Sequence, residues 1–252
     1  MPEGPSIVIF TEAAAGFAGK RVLAVEGNSR LDIQRMRGRT LRAIRSWGKH
    51  ILLEFDRFSL RVHLMLFGST RIDERREGAT PRLSLRFARG RELNFYACSL
   101  KFIEGDLDQA YDWRVDVMSP LWDPKRARAA LRARPEMIVA DALLDQSLFS
   151  GVGNIIKNEV LHRIRVHPAS TLGAMPARKQ SELVEQARAY SFDFLAWKKA
   201  FVLKKHYQVH ARTCCPRDGA PLRYQKHLGR SARRAFWCDV CQRYYGDERL
   251  RP

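Results

Sequence analysis

The chain has 252 residues, 45% of them hydrophobic, which is enough to bury a core and excludes a chain disordered by composition. Its 45 lysines and arginines against 27 aspartates and glutamates leave a net charge of +18, which predicts a polyanionic partner, most often nucleic acid. There is no apolar run of about 18 residues and no signal-peptide pattern, so we expect no membrane partner and a cytoplasmic protein of the bacterial type, associated with the nucleoid through DNA.

The predicted elements begin with a helix over residues 6–17, preceded by Pro5 and followed by Gly19. From about residue 21 to residue 104 the pattern changes to short runs of β-branched, aromatic or alternating residues, separated by turns. The predicted strands are 21–25, 50–55, 59–64, 83–87, 92–96 and 100–104. Their spacing predicts an antiparallel sandwich or barrel. Cys98, in an apolar and aromatic run, is predicted to lie in its core.

A boundary is predicted at residues 119–124, where two prolines disfavour regular structure. The pattern then becomes helical, with predicted helices at 125–133, 135–144, 153–164 and 178–197. From His206 onward the chain is short, basic and aromatic, too small to hold a core without a staple such as a metal. The fold class is therefore α+β, and the predicted domains are 1–118, 119–205 and 206–252.

The first residues, Met1-Pro2-Glu3-Gly4-Pro5, favour removal of the initiator methionine, which would leave Pro2 with a free secondary amine. An α-amino group titrates near ~7.7–8.0, so a useful fraction is unprotonated at neutral pH. Neutral amines attack carbonyl-like carbon atoms and form Schiff bases, and the neighbouring Glu3 is placed to move protons. The pair predicts catalysis; the alternative is an N-terminal proline without a role.

Two turns are candidate phosphate sites. Gly151-Val152-Gly153-Asn154 precedes a predicted helix, so its glycines let a phosphate approach the unpaired N–H groups of the first turn, to which Asn154 adds a donor. A plain helix start is the alternative. Trp47-Gly48-Lys49-His50 precedes a predicted strand and presents the Lys49 ammonium, although surface lysines are common.

Met65, Leu66 and Phe67 form an apolar triplet before Gly68. Taken alone, this pattern favours core residues. In a DNA-binding protein, the same side chains serve as a wedge that replaces the stacking lost when a nucleotide leaves the duplex.

Four of the five cysteines fall between residues 214 and 241, and clustered cysteines in a cytosolic chain more often bind metal than form disulfides. Cys238 and Cys241 form a clean Cys-x₂-Cys pair, whereas Asp218 stands where the first half would carry its second cysteine. Zinc accepts carboxylate oxygen, so the simplest site is Cys215, Asp218, Cys238 and Cys241, with Cys214 or His210 as alternates to Asp218. A finger that binds no metal is the alternative.

Arg233 and Arg234 are predicted at the tip of a hairpin between the two halves of the cysteine motif. There they either contact nucleic acid or are simply solvated.

These segments occur in the order typical of one family. The chain resembles the formamidopyrimidine-DNA glycosylase/endonuclease VIII family of base-excision repair enzymes over nearly its whole length, and Pro2-Glu3-Gly4-Pro5 is similar to the start of the endonuclease VIII branch. Residues 144–161 resemble the helix–two-turn–helix motif of that family, and the hairpin before Cys238 resembles its zinc finger.

The resemblance implies a role for each matching residue. Pro2 is the nucleophile at C1′ of the damaged nucleotide, Glu3 moves protons at the sugar, and Lys49 holds a phosphate at the catalytic site. Leu66, assisted by Met65 and Phe67, fills the void left by the flipped nucleotide. The resemblance therefore reverses the placement in the core that the triplet pattern alone favours. Asn154 and the hairpin arginine, Arg233 or else Arg234, bind phosphate.

The resemblance further implies a monomeric glycosylase and AP lyase that removes oxidised bases, pyrimidines above all, from double-stranded DNA and nicks the strand by β,δ-elimination. Three positions depart from the family pattern: Ser6 replaces a glutamate, Asp218 replaces a cysteine, and the 65–67 triplet is more apolar than usual. The alternatives are a glycosylase for oxidised purines, a non-catalytic DNA-binding protein that keeps the fold, and an RNA-binding zinc protein.

Overall fold

A computed structural model describes residues 2–250, apart from the side chain of Leu250. The chain forms two compact units, Met1–Asp112 and Trp113–Pro252. The predicted α+β class is confirmed: a helix and a β-sandwich make up the first unit, and helices followed by a β-hairpin make up the second. None of the helices in the described part of the chain is long and apolar enough to cross a lipid bilayer. The finer division at residues 118 and 205 stays a prediction.

The first unit opens with helix α1 (Gly4–Ala13), which carries a proline in its first turn, where no intrahelical N–H bond is lost. A 3₁₀ turn follows at Ala15–Phe17. The remaining elements are β1 (Ala24–Glu26), β2 (Ala43–Trp47), β3 (His50–Glu54), β4 (Phe58–Ile72), β5 (Leu83–Arg86), β6 (Glu92–Glu104) and the short helix α2 (Leu107–Ala110).

The six strands form one antiparallel sheet in the order β1-β5-β6-β4-β3-β2. The long central strands β4 and β6 pair on both sides of an irregularity between Leu64 and Ser69. One end of the pair continues into β3 and β2 and the other into β5 and β1. Side chains from both ends meet in a single core, which explains the sandwich: they include Leu53, Leu60, Val62, Leu85, Leu93 and Phe95.

The sheet differs from the predicted strands in several places. Strand β1 begins at Ala24 and not at residue 21, and β4 continues past the predicted end at residue 64 to Ile72. The segments 92–96 and 100–104 belong to one strand, β6, in which Cys98 is buried as predicted. Strand β2 was not predicted, because it is an edge strand with all five residues half-buried and no clear alternation.

The second unit contains helices α3 (Pro124–Arg132), α4 (Val139–Leu144), α5 (Asn154–Arg163) and α6 (Ala177–Lys199), then strands β7 (Arg223–Leu228) and β8 (Arg233–Trp237). Helix α3 starts at the predicted boundary, where the Asp123 carboxylate accepts hydrogen bonds from the backbone N–H groups of Lys125 and Arg126. A second core joins the helices to the hairpin, with Leu143, Phe149, Ile156, Leu161, Leu183 and Trp237 among its buried members.

Candidate active site and nucleic-acid interface

The predicted catalytic pair lies at the start of α1. Glu3 is the N-cap residue, in extended conformation, and is only 4% exposed, whereas Pro2 is half-buried. The Glu3 carbonyl accepts a hydrogen bond of 2.8 Å from the backbone N–H of Ser6, which ties the pair to the first turn of the helix. The fold therefore holds a carboxyl group inside the protein, one residue from the N-terminal proline.

Lys49 lies in the tight turn that joins β2 and β3, where Gly48 has φ of +53°, a conformation that favours glycine. Helix α1 packs against both of these strands. The Trp47 ring lies 4.9 Å from Tyr111 and 5.4 Å from His50, and its Nε1 donates to the Asp112 carbonyl at 3.0 Å. These aromatic contacts fix the base of the turn that carries Lys49.

Two histidines lie behind this turn. His50 and His63 are cross-strand partners with ring centroids 5.1 Å apart. Burial, reinforced by the nearby Arg61, lowers the pKa of His50 to about 3, and burial also lowers the pKa of His63. Both rings are therefore neutral at physiological pH, and they add no charge next to Lys49.

The apolar triplet projects from an irregularity in the sheet. Leu64 pairs with Cys98, but the next paired residue on β4 is Ser69, opposite Tyr96, so four residues of β4 stand against Ala97 alone. Met65 and Leu66 are half exposed, and Phe67 is 81% exposed. The core placement that the pattern alone favours is therefore wrong, because a bulge carries these side chains away from the core that buries Leu60, Val62 and Leu64 earlier in β4.

Asn154 is the first residue of α5, and the turn before it is held by Gln146. The Gln146 amide donates to the carbonyls of Leu144 and Val152 at 2.8 and 3.1 Å and accepts from the Gly151 N–H at 3.1 Å. Gly151 has φ of +98°, which explains a glycine there. The Oδ1 atom of Asn154 is buried and has no hydrogen-bond partner in the described part of the chain.

Sequence reasoning missed a row of buried polar residues along α5. Lys157 is 1% exposed and its Nζ donates to the Arg234 carbonyl at 2.8 Å. Asn158 accepts from the Phe236 N–H, and the Glu159 carboxylate accepts from the backbone N–H groups of residues 208, 209 and 210 at 2.9, 3.1 and 2.7 Å. Burial raises the pKa of Glu159 despite these bonds. The signal in the sequence was a run of three polar residues, Lys157 to Glu159, between the apolar pairs Ile155-Ile156 and Val160-Leu161.

The hairpin arginines lie beside the tip and not in it. Arg233 and Arg234 are the exposed first residues of β8, and the turn itself is formed by residues 229–232. The predicted position at the tip is thus wrong, because both arginines directly follow the turn. The Asp141 carboxylate of α4 accepts from the N–H groups of Arg230 and Ser231 at 2.8 and 2.9 Å, which docks the turn onto the helices.

Cys215, Asp218, Cys238 and Cys241 place their ligand atoms within 4.8 Å of one another, as the simplest predicted site requires. The Cys215 and Cys241 sulfurs are 3.8 Å apart, and the Asp218 oxygens lie 3.4 and 3.5 Å from the Cys238 sulfur. In a tetrahedral zinc site, Zn–S and Zn–O bond lengths require separations of about 3.8 Å between sulfurs and about 3.6 Å between sulfur and oxygen. The donor set therefore fits zinc.

The two alternates are not members of this cluster. Cys214 is exposed, and His210 contacts Asn158 through its Nδ1 at 3.1 Å. Burial raises the pKa of Cys241 to about 12, so that a bound cation is what would make this thiol a thiolate ligand. The Arg217 guanidinium also donates to the Cys241 sulfur, at 3.2 Å.

The predicted residues thus fall into two groups. The first unit holds Pro2, Glu3, Lys49 and the 65–67 triplet; the second holds Asn154, Arg233, Arg234 and the cysteine cluster. Their roles stay predictions.

Comparison with known proteins agrees with this description. Residues 1–98 match the model of the formamidopyrimidine-DNA glycosylase N-terminal domain, and residues 119–190 match that of the formamidopyrimidine-DNA glycosylase H2TH domain. A Lactococcus lactis formamidopyrimidine-DNA glycosylase bound to DNA containing an AP site superposes with a TM-score of 0.83 at 22% identity, over 95% of this chain and 99% of that one. A viral DNA glycosylase superposes with a TM-score of 0.82 at 19% identity, over 95% and 99% of the two chains.

Curated relatives include endonuclease 8-like 3 of Mus musculus, 29% identical over 79% of this chain and 34% of that protein. Human endonuclease 8-like 2 is 32% identical over 75% of this chain and 59% of that protein. The chain thus spans between about a third and three fifths of the length of these relatives.

The two matching models describe domains of one class of protein, the DNA glycosylases of base-excision repair, and together cover more than half of the chain. The chain belongs to the formamidopyrimidine-DNA glycosylase/endonuclease VIII family.

Proposed function

We propose that this protein is a bifunctional DNA glycosylase and AP lyase that removes oxidised pyrimidines from double-stranded DNA. The observation that carries the proposal is the Pro2–Glu3 pair at the start of α1, with Glu3 held inside the protein, in a chain that the family's N-terminal model matches from residue 1. Removal of Met1 turns Pro2 into the required secondary amine.

In the proposed reaction, the Pro2 nitrogen attacks C1′ of the damaged nucleotide, the bond from C1′ to the base breaks, and the base leaves with a proton. The Pro2 nitrogen loses its proton, the C1′–O4′ bond breaks as O4′ takes a proton, and the ring-opened sugar is left bonded to Pro2 as an iminium ion. This cation acidifies the C2′ proton, so its loss expels the 3′ phosphate, and a second elimination expels the 5′ phosphate. Glu3 exchanges protons with the sugar, since it is the carboxyl group adjacent to the amine.

The remaining predicted residues hold the DNA. Lys49, on its rigid turn, binds a phosphate near the reacting sugar, and Asn154 and the β8 arginines bind phosphates elsewhere. Leu66, exposed on the bulge, fills the stack that the flipped nucleotide vacates. Because the chain carries a net charge of +18, its affinity for DNA falls steeply as the salt concentration rises.

The preference for pyrimidines rests on the Pro-Glu-Gly-Pro start, which is similar to the endonuclease VIII branch, and on relatives that are named endonuclease 8-like 2 and 3.

The proposed cofactor is one structural zinc ion held by Cys215, Asp218, Cys238 and Cys241. It would staple the hairpin segment, which is too small to fold on its own core.

Borohydride trapping tests the proposal. Purified protein is incubated with duplex DNA that carries one abasic site or one oxidised base, and a covalent complex is expected on reduction, together with strand cleavage. A matched protein whose N-terminal amine is blocked by a short uncleaved extension is expected to bind the same DNA without trapping or cleaving it. Pro2→Gly is not a substitute, because glycine also supplies an amine. Undiminished cleavage by the blocked protein would eliminate Pro2 as the nucleophile, and tight binding without any cleavage by the unblocked protein would favour the non-catalytic alternative.

A panel of duplexes with single oxidised pyrimidines and single oxidised purines, assayed for nicking under the same conditions, tests the preference. Faster cleavage of 8-oxoguanine or formamidopyrimidine duplexes than of any oxidised pyrimidine would overturn that part of the proposal.

A further inference from the structure

The segment that follows α6 presents an aromatic ring to solvent. Phe201 is 96% exposed, the highest value among the large hydrophobic residues whose exposure is described. Its φ of 58° lies in the left-handed region, which a bulky residue adopts only where the surrounding structure imposes it. Exposing a whole phenyl ring to water forfeits the stabilisation that its burial would bring, so the ring adds nothing to the core of the second unit.

The surrounding structure does impose this position. The N–H of Phe201 donates to the Lys198 carbonyl at 3.1 Å, and the N–H of Val202 donates to the Trp197 carbonyl at 2.9 Å, which together close the end of α6. On the far side of the loop, the His206 ring stacks on Trp197 with centroids 4.1 Å apart and planes 3° from parallel. The loop is therefore anchored at both ends, and the ring is displayed on a rigid support.

Lysines flank the ring on both sides. Lys198 and Lys199 end α6, and Lys204 and Lys205 follow in a 3₁₀ turn at Leu203–His206. Within residues 2–250, Lys198, Lys204 and Lys205 form no salt bridge. A helix C-terminus favours the first pair, but it does not account for the second. The tip thus combines one exposed aromatic face with positive charge before and after it.

We propose that this tip, Phe201 with its flanking lysines, binds single-stranded DNA, with the phenyl ring stacked on an unpaired base and the lysines close to the phosphates on either side. Aromatic side chains bordered by cations are the usual means of binding single strands, because every base offers a face for stacking. Bases inside an intact duplex are already stacked. A membrane surface fits less well, since it requires a broad apolar face and the neighbouring Val202 and Leu203 are half-buried. The site needs neither Pro2 nor a lesion, so it goes beyond the proposed glycosylase activity.

Fluorescence anisotropy with a labelled 15-nucleotide oligo-dT and a duplex of the same length tests this assignment on the full chain. Phe201→Ala is expected to weaken binding of the single strand by about fivefold or more and to change duplex binding much less. Leu121→Ala, which removes another exposed apolar side chain of the second unit, is the matched control and is expected to leave both affinities unchanged. Phe201→Trp is expected to restore binding, and its additional fluorescence is expected to be quenched by the oligonucleotide.

The lysines give an independent readout. Lys204→Gln with Lys205→Gln is expected to reduce the slope of log affinity for oligo-dT against log salt by about 1.4, because each phosphate contact on a single strand contributes about 0.7. Equal single-strand affinities for Phe201→Ala and Leu121→Ala would overturn the proposal. So would equal losses on single strand and duplex, or a loss confined to vesicles containing phosphatidylserine. The protein with a blocked N-terminus is expected to keep this binding, so failure here is separable from failure of the Pro2 chemistry.

Discussion

The Nζ atom of Lys157 donates a hydrogen bond of 2.8 Å to the main-chain carbonyl of Arg234, and the lysine that makes it is almost completely buried. A buried ammonium is costly unless it is well paired, so its presence inside the second unit requires a compensating role. The contact joins α5, which begins at Asn154, to the strand that carries both candidate DNA-binding arginines. Lys157 is therefore a positioning residue for the backbone of β8.

Lys157→Met is expected to weaken DNA binding roughly fivefold to tenfold and to lower its salt dependence, because the Arg234 carbonyl loses its donor and the adjacent side chains lose their fixed orientation. The cost in stability is expected to be about 1–3 kcal/mol, because the part-buried Arg234 carbonyl is left without its donor. Anisotropy titrations across a salt series and urea unfolding measure the two effects. Lys157→Arg keeps the charge and is expected to restore part of the affinity. An unchanged salt slope in Lys157→Met, together with lowered stability, would show that the contact is only structural.

Leu66→Ala is expected to slow cleavage of a lesion duplex about tenfold while changing the free energy of unfolding by less than about 0.5 kcal/mol, since its side chain is already largely in water. The matched control lies two residues earlier on the same strand: Leu64 is buried, so Leu64→Ala is expected to cost about 2–5 kcal/mol of stability. Nicking rates and urea unfolding are measured for both variants. A normal rate in Leu66→Ala would remove Leu66 from the proposed void-filling role.

Asp218→Cys is expected to keep one zinc ion per chain and to hold it more tightly against a chelator, because thiolate is a softer ligand than carboxylate. Asp218→Ala is expected to lose zinc at a chelator concentration that the parent tolerates. Cys214→Ser is the control, and since Cys214 is exposed and outside the cluster, its zinc content is expected to match the parent. Loss of zinc in Cys214→Ser with retention in Asp218→Ala would reverse the assignment of the fourth ligand.

The first unit is expected to lose stability in acid through His50. Its pKa in the folded protein is about 3, against an ordinary value of 6.5, so between these values the unfolded chain binds a proton that the folded chain refuses. Above about pH 6.5, His50 does not lower the free energy of unfolding. As the pH drops toward 3, this free energy falls by at most about 1.4 kcal/mol per pH unit. The charged neighbours that oppose protonation are Arg61 and Lys49, with His63 across the strand.

Urea unfolding between pH 7.5 and 5 measures this effect as the difference between the parent and His50→Phe, which is expected to have the flatter pH profile. His227→Gln removes an exposed histidine of β7 and is expected to follow the parent. Identical pH profiles for the parent and His50→Phe would contradict the assignment.

The general architecture was predictable because local chemistry and tertiary structure agree in most of the chain. Helices α3, α5 and α6 lie within a few residues of their predicted bounds, since their start signals are prolines or glycines with ordinary roles. The metal-ligand cluster was predictable from the spacing of its cysteines and the chemistry of Asp218. Family resemblance, and not residue pattern, was what suggested an exposed position for the 65–67 triplet.

What sequence reasoning missed depends on contacts between distant segments. The partner of Lys157 is 77 positions away, and the partners of Glu159 are 49 to 51 positions away, so no local pattern announces them. Strand β2 escaped prediction because its arginine and serine read as loop residues, although pairing with β3 makes them an edge strand. Nothing in the sequence singles out Phe201, because its exposure depends on how the chain turns after α6.

The irregularity between Leu64 and Ser69 has a consequence for the mutational tolerance of the sheet. The strand resumes its pairing on the far side, so the four inserted residues take no part in the ladder that holds the sheet together. Substitutions there escape the packing constraints that act on the buried first half of the strand, apart from Gly68, where an added Cβ would lie 2.8 Å from the Ala97 carbonyl oxygen. Residues 65–67 are thus a place where the chain accepts substitution at little cost to the sheet, so the side chains presented there can be exchanged while the scaffold stays intact.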